Sequence, residues 1–317
     1  KKRILITGGT GFLGKHLALS LKDSFDVYLG ARNNKQNYLI KNAIGCDVVP
    51  MDVSNIESVR DAFIEVKPDI VIHAAATKFV DLSEKFPMEC LDVNVTGSQN
   101  VARVAIEKNV DMVIGISTDK AAPPIRNTYG LSKSMMERLF CSMNNKSITK
   151  FTCVRYGNVA WSTGSVLPIW KDMFEKTKTL GTTGPEMRRF FFTVDEAVQL
   201  VITAMNVIDS IQGKVLTREM KACKVRDLLD VWIEEHGGSW VQISGRPGER
   251  VDEFLVGETE LEYSTQVNYN GIPHYIITFN EKQNLPLTEV ISSANATKLS
   301  RDEIVSLINY NEKLQNV

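Results

Sequence analysis

The chain of 317 residues has too few cysteines and histidines, too widely scattered, for redox or metal chemistry to rest on them. Its five cysteines (Cys46, Cys90, Cys141, Cys153 and Cys223) are odd in number and form no CxxC. They read as small buried hydrophobes of a reducing compartment, not as disulfides or metal ligands. The four histidines show no ligand spacing, so no metal is expected. No apolar run approaches the ~20 residues that a membrane span requires. The opening stretch, KKRILITGG, lacks Met and carries no visible signal peptide. A net charge of −1 gives no general attraction to nucleic acid or an anionic membrane, so any anion must be bound locally. With 43% hydrophobic and 24% charged residues the chain is not disordered. The expectation is a cytoplasmic globular protein without nucleic-acid or membrane partners.

What the sequence does have is a rhythm. Short β-rich runs at 3–7, 26–31, 47–52, 69–75 and 112–118 alternate with helix-length segments at 12–21, 56–65, 88–108 and 128–142. Several of the runs are almost wholly apolar, as strands buried on both faces of a parallel sheet are. A sixth strand is expected over 151–159. The alternation predicts an α/β fold, a Rossmann-like doubly wound parallel sheet with a smaller C-terminal substrate-binding lobe. Residues 1–160 would form the dinucleotide-binding domain with the catalytic residues. Residues 161–317, where Gly/Pro-rich loops take over, would form most of the lobe, with some segments returning to the first domain. A short final helix is expected in SRDEIVSLINYNEKL.

ITGGTGFLG places Gly8, Gly11 and Gly14 between the first strand and the first helix. The first glycine permits a tight turn, the second lets backbone approach a pyrophosphate, and the third lets the helix pack against the sheet. This predicts a dinucleotide site. NAD sites usually carry an acid at the end of the second strand; this chain has LGARNNK there instead. Arg32 can pair with a 2′-phosphate, with Lys35 beside it, so NADP is favoured over NAD. Asp52, ending the third strand, suits the adenine amino group.

The stretch ISTDKAAPPIRNTYGLSK holds the other concentration of chemistry. Tyr129 and Lys133 stand four apart and so share one helical face. A nearby ammonium favours the phenolate, which predicts a tyrosine pKa pulled down from ~10 and a usable base. Thr118, ending a central strand, can hydrogen-bond the same substrate oxygen. Taken alone, Asp119 and Lys120 read better as an exposed ion pair after a strand than as part of the site; their position before Tyr129, with the family resemblance below, reverses that.

These motifs, with HAAATKFVDLSE, VNVTGSQNV, RYGNV, GSVLP, PEMRRFF and RPGER, resemble the extended short-chain dehydrogenase/reductase family. Within it the chain resembles the soluble UDP-N-acetylglucosamine 4,6-dehydratases. Glucose-type dehydratases carry Asp-Glu after the threonine, and here Lys120 replaces that glutamate. The resemblance implies a UDP-sugar substrate, NADP, and a homo-oligomer. It implies that Tyr129 takes the O4 proton while C4 is oxidised and that Lys133 holds the ribose. Lys120, if neutral, would abstract the C5 proton, and Asp119, if protonated, would donate to the departing O6. Cofactor contacts would come from Gly8, Thr10, Gly11, Phe12, Leu13 and Gly14, from Arg32, Asp52 and Val53, and from Ala74, Ala75, Lys78 and Asn94, with Tyr129 and Lys133. Asn94 would also bridge backbone near the active-site strand. Substrate contacts would come from Lys78, Arg155, Tyr156, Asn158, Arg188 or Arg189, and from Arg246, Glu249 and Arg250.

The chain departs from the family pattern at three places: WSTGSV lacks an arginine, Gly184 replaces an acid, and KAAPPIRNTYG is one residue longer. The alternatives are a UDP-sugar 4- or 5-epimerase, which needs only Tyr129 and Lys133, and a catalytically idle NADP-binding regulator.

Overall fold

A computed structural model describes residues 1–246 and 248–310. The first six central strands are β1 (Arg3–Thr7), β2 (Asp26–Ala31), β3 (Asp47–Pro50), β4 (Ile70–His73), β5 (Met112–Ile116) and β6 (Lys150–Val154). Among the described residues they belong to a nine-stranded sheet, running β3-β2-β1-β4-β5-β6 and then Val215–Arg218, Ile272–Ile277 and Ser264–Tyr269. Pairing is parallel from β3 through Val215–Arg218, and the last two strands are antiparallel. Three strands of the sheet therefore come from the second half of the chain. The chain steps outward from β1 to β3 and returns to β4 on the other side of β1. That reversal opens a crevice at the carboxyl ends of β1 and β4, the position where open α/β sheets bind ligands.

Ile4, Leu5 and Ile6 of β1 are fully buried, and their alternation sends Ile4 and Ile6 to one helical layer and Leu5 to the other. The helices are set by local chemistry. Asn127 caps Thr128–Met143 by accepting from Gly130 N–H, and Thr193 with Glu196 makes a capping box on Val194–Asn206. The smaller lobe has its own core, in which Trp170 and Trp232 meet edge to face with centroids 6.2 Å apart. No helix among the described residues is long and apolar enough to cross a membrane.

Three expectations need correction. The helix expected over 88–108 is Pro87–Cys90, a π-helical turn Leu91–Thr96, and Gly97–Glu107. The strand expected over 151–159 ends at Val154, and Asn158–Val159 pairs instead with Arg188–Phe192 in a separate sheet. The final helix spans Arg301–Ile308; residues 311–314 of its expected span lie outside the described residues, as does Pro247 of RPGER. Helices Asn34–Ile44 and Val80–Lys85 were not expected.

Candidate active site

A cavity of about 660 Å³ lies over the carboxyl ends of β1, β2, β4 and β5 and reaches into the smaller lobe. Gly8, Thr10, Gly11, Phe12, Leu13 and Gly14 line one end with Arg32, Asp52, Val53, Ala74, Ala75 and Lys78. Thr118, Asp119, Lys120, Tyr129 and Lys133 line the middle; Tyr156, Asn158, Arg246 and Glu249 line the far side.

The glycine loop is shaped for close approach. Gly8 has φ +61°, and a Cβ there would stand 2.8 Å from the Ala75 backbone. A Cβ on Gly14 would stand 2.6 Å from the Gly9 backbone, where nothing can give way. Helix Phe12–Leu21 starts at Gly11 with no side-chain cap, which leaves its first N–H groups for an anion. Lys78 reaches over this loop, its Nζ 3.9 Å from where a Gly11 Cβ would be. These features fit the pyrophosphate of a dinucleotide. At the far end Asp52 Oδ1 accepts from Ser54 N–H at 3.0 Å and Ser54 Oγ at 2.7 Å, which fixes its carboxylate at the cavity edge.

The catalytic candidates converge because strand and helix ends meet. Thr118 and Asp119 are buried at the end of β5, and the Asp119 N–H donates to Tyr156 C=O at 2.9 Å. Thr118 Oγ1 accepts from Lys120 N–H at 3.2 Å and donates to Asp119 Oδ1 at 3.2 Å. The longer connection from Lys120 still delivers Tyr129 to the cavity that Thr118 lines. Asp119 Oδ1 lies 3.5 Å from Lys120 Nζ. Its Oδ2 is buried without a hydrogen-bond partner, and Gly157 makes room for it: a Cβ there would stand 3.0 Å away.

The charges differ from expectation. Burial pushes the Tyr129 phenol up to about 12, and Lys120, not Lys133, is the cation that pulls against the rise. Burial lowers the Lys133 ammonium to about 8. Burial also works against charge on Lys120, but Asp119 and Glu253 together outweigh it and hold the ammonium above its ordinary value. Lys120 is thus not neutral in the resting site. Burial pushes Asp119 up, and Glu253 adds to the rise.

Five expected site residues do not line the cavity: Lys35, Asn94, Arg155, Arg188 and Arg250, the last held by Glu253 and Pro124 C=O. Arg155 is fully buried, with both oxygens of Glu137, both of Glu260 and Leu255 C=O as its partners. It braces the core and cannot face a substrate. Arg188 makes a bidentate pair with Asp252 at 2.6 and 2.7 Å and points away from the cavity. Strand alternation puts its neighbour Arg189 on the cavity wall instead. Asn94 does not line the cavity; it exchanges hydrogen bonds with both backbone groups of Thr77 and donates to Ser132 Oγ. That bracing joins the loop carrying Lys78 to the helix carrying Tyr129. Trp161, in the departure from the family pattern, donates its indole N–H to Leu307 C=O and so anchors the last helix. Glu253, beside Lys120, was not expected from the sequence; only its place in RPGERVDE points to it.

Known proteins resemble this chain in sequence and fold. The family described as "Polysaccharide biosynthesis protein" matches residues 4–273. A UDP-N-acetylglucosamine 4,6-dehydratase (inverting) from Campylobacter jejuni is 32% identical over 90% of this chain and 86% of its own length. A UDP-glucose 4-epimerase from Rickettsia bellii is 33% identical over 97% of this chain and 95% of its own. The X-ray structure of Pen from Bacillus thuringiensis superposes with a TM-score of 0.88 at 29% identity, covering 97% of each chain.

Proposed function

The chain belongs to the polysaccharide biosynthesis protein family of extended short-chain dehydrogenase/reductases, and from that premise we propose that it is a UDP-N-acetylhexosamine 4,6-dehydratase, with UDP-N-acetylglucosamine as the substrate and NADP as the cofactor. The product is a UDP-4-keto-6-deoxy sugar. The observation that carries this reading is the Asp119–Lys120 pair, placed in the same cavity as Tyr129, with one carboxylate oxygen buried and unpartnered. Native proteins seldom leave a buried polar atom unsatisfied without a use for it. A 4-epimerase has no task for this pair.

A nicotinamide dinucleotide held by the glycine loop supplies reversible two-electron oxidation of a sugar carbon. Tyr129 takes the O4 proton, with Thr118 lining the cavity beside it. Once C4 is a ketone, the C5 hydrogen becomes acidic. Elimination then requires a base at C5 and an acid at O6. One proton passing over 3.5 Å from Lys120 to Asp119 makes both; burial works for this transfer, and the Glu253 carboxylate, which holds the proton on Lys120, works against it. Lys120 abstracts the C5 proton and Asp119 protonates the departing O6, so water leaves. With a dinucleotide bound, the hydride taken at C4 would return at C6 while a proton returns to C5, which would leave no net oxidation. Arg246 on the far wall suits a diphosphate, and Arg32 suits a 2′-phosphate.

A UDP-sugar 4- or 5-epimerase is the second reading, favoured by the firmly charged resting Lys120 and by the R. bellii relative. The two part on one experiment. Incubation with UDP-N-acetylglucosamine and NADP, followed by mass spectrometry, should give a sugar nucleotide lighter by one water. A product of unchanged mass with altered C4 or C5 configuration would overturn the dehydratase reading.

A further inference from the structure

Three cations converge on one buried carboxylate. Glu253 is 4% exposed. Its Oε1 lies 3.6 Å from Lys120 Nζ and 3.9 Å from Arg189 Nε, and its Oε2 accepts from Arg250 Nε at 3.0 Å. Its backbone is clamped as well: the N–H donates to Ser293 Oγ at 3.0 Å and the C=O accepts from Ser293 N–H at 2.9 Å. Arg250 in turn donates to Pro124 C=O at 2.6 Å, tying this segment to the stretch between Lys120 and Tyr129.

Lys120 therefore stands between two carboxylates at nearly equal distances, Asp119 at 3.5 Å and Glu253 at 3.6 Å. The charged and titratable groups acting on Lys120 are Asp119, Glu253, Arg189 and Tyr129. The two carboxylates differ in what else they touch. Glu253 is shared with two guanidinium groups, which keep it ionised. Burial would push it up, but Lys120, Arg189 and Arg250 together hold it below its ordinary value. Asp119 has one oxygen with no partner, and burial pushes it up. A proton leaving Lys120 is thus accepted by Asp119 and refused by Glu253.

We propose that Glu253 is a positioning residue of this site, a fixed anion that holds Lys120 against Asp119 and directs the Lys120 proton to Asp119 rather than to itself. The use of that proton rests on the dehydratase reading; the arrangement of charges does not.

The test reads Lys120 without turnover. Trace labelling with acetic anhydride across a pH series, followed by mass spectrometry of the peptide carrying Lys120, gives its titration directly. In the parent protein Lys120 should titrate above a free lysine. In Glu253→Gln it should titrate lower by about 1–3 pH units, the effect of removing a charge at this range. Glu253→Asp should fall between the two. With active enzyme, the pH limbs of kcat should move down in Glu253→Gln by a similar amount while KM changes little. A parent Lys120 titrating below free lysine overturns the proposal even if no variant folds. So does a titration in Glu253→Gln that coincides with the parent's. Absence of water loss from UDP-N-acetylglucosamine would instead overturn the dehydratase reading and leave this result standing.

Discussion

Arg155 and Glu137 form a fully buried ion pair, with Nη2 2.6 Å from Oε1 and neither side chain exposed to solvent. Glu260 completes the cluster from the other side, 2.8 Å from Nη1, and Ser117 Oγ donates to Glu137 at 2.6 Å. Removing the guanidinium would leave two carboxylates buried without their cation. Breaking such a pair costs about 3–5 kcal/mol. Arg155→Ala should therefore lose stability on that scale in denaturant unfolding. Its folded fraction should bind substrate as the parent does, because Arg155 does not reach the cavity. A stable variant with weakened UDP binding would restore the arginine to the substrate.

The buried cluster marks the boundary of what the residues alone disclosed. The five parallel strands after β1 followed from apolar runs and their spacing, and helix Phe12–Leu21 emerged with its ends as expected. Tyr129 and Lys133 also share the cavity as their four-residue spacing foretold. The roles of the arginines did not follow. RYGNV and PEMRRFF display their guanidinium groups equally, and only tertiary partners decide which are used inside the fold. Glu137 and Glu260 lie 18 and 105 residues from Arg155, so no local pattern could have paired them. The Tyr129 pKa went wrong for a related reason. Spacing named a neighbouring lysine, whereas burial proved the larger influence.

His73 gives a pH dependence whose sign is fixed. Its ring is fully buried between Thr7 Oγ1 at 2.7 Å and Ser98 Oγ at 3.0 Å, and burial lowers its pKa from 6.5 to about 3. Between those values the unfolded chain binds the proton and the folded protein does not. Stability from this residue is complete above the unfolded pKa and declines as pH falls towards the folded one. The slope should be about 1.4 kcal/mol per pH unit in that window. The difference in unfolding free energy between parent and His73→Gln, followed through the window, should carry this slope. A flat difference would mean that His73 titrates normally in the fold.

Arg32 lines the dinucleotide end of the cavity at the end of β2, where an acid would favour a free ribose 2′-hydroxyl. Hydrogen bonds to charged groups contribute about 1.5–3 kcal/mol. Arg32→Ala should then weaken NADP binding by roughly tenfold or more and leave NAD binding nearly unchanged. Calorimetric titration with both dinucleotides checks this. Equal losses for the two, or tighter NAD binding by the parent, would remove Arg32 from cofactor selection.

Lys120 decides between dehydration and epimerisation, because its proposed work begins only after C4 has been oxidised. Tyr129→Phe should stop the reaction before that point while the cofactor still binds, since the lost hydroxyl belongs to the middle of the cavity and the glycine loop is untouched. Lys120→Ala should behave differently. It keeps Tyr129 and Lys133, so reduced cofactor and some 4-keto sugar should form, while water loss slows by about 10²–10⁴-fold, the usual cost of a missing positioned base. Asp119 would then sit buried without its ammonium partner at 3.5 Å and be driven further towards its neutral form. The acid would survive and the base would be gone. In deuterated water the parent should place solvent deuterium at C5, because the proton there is removed and later replaced. NMR of the product reads that label. If Lys120→Ala dehydrates at the parent rate, or if C5 keeps its original hydrogen, the proton at C5 is not handled by this pair.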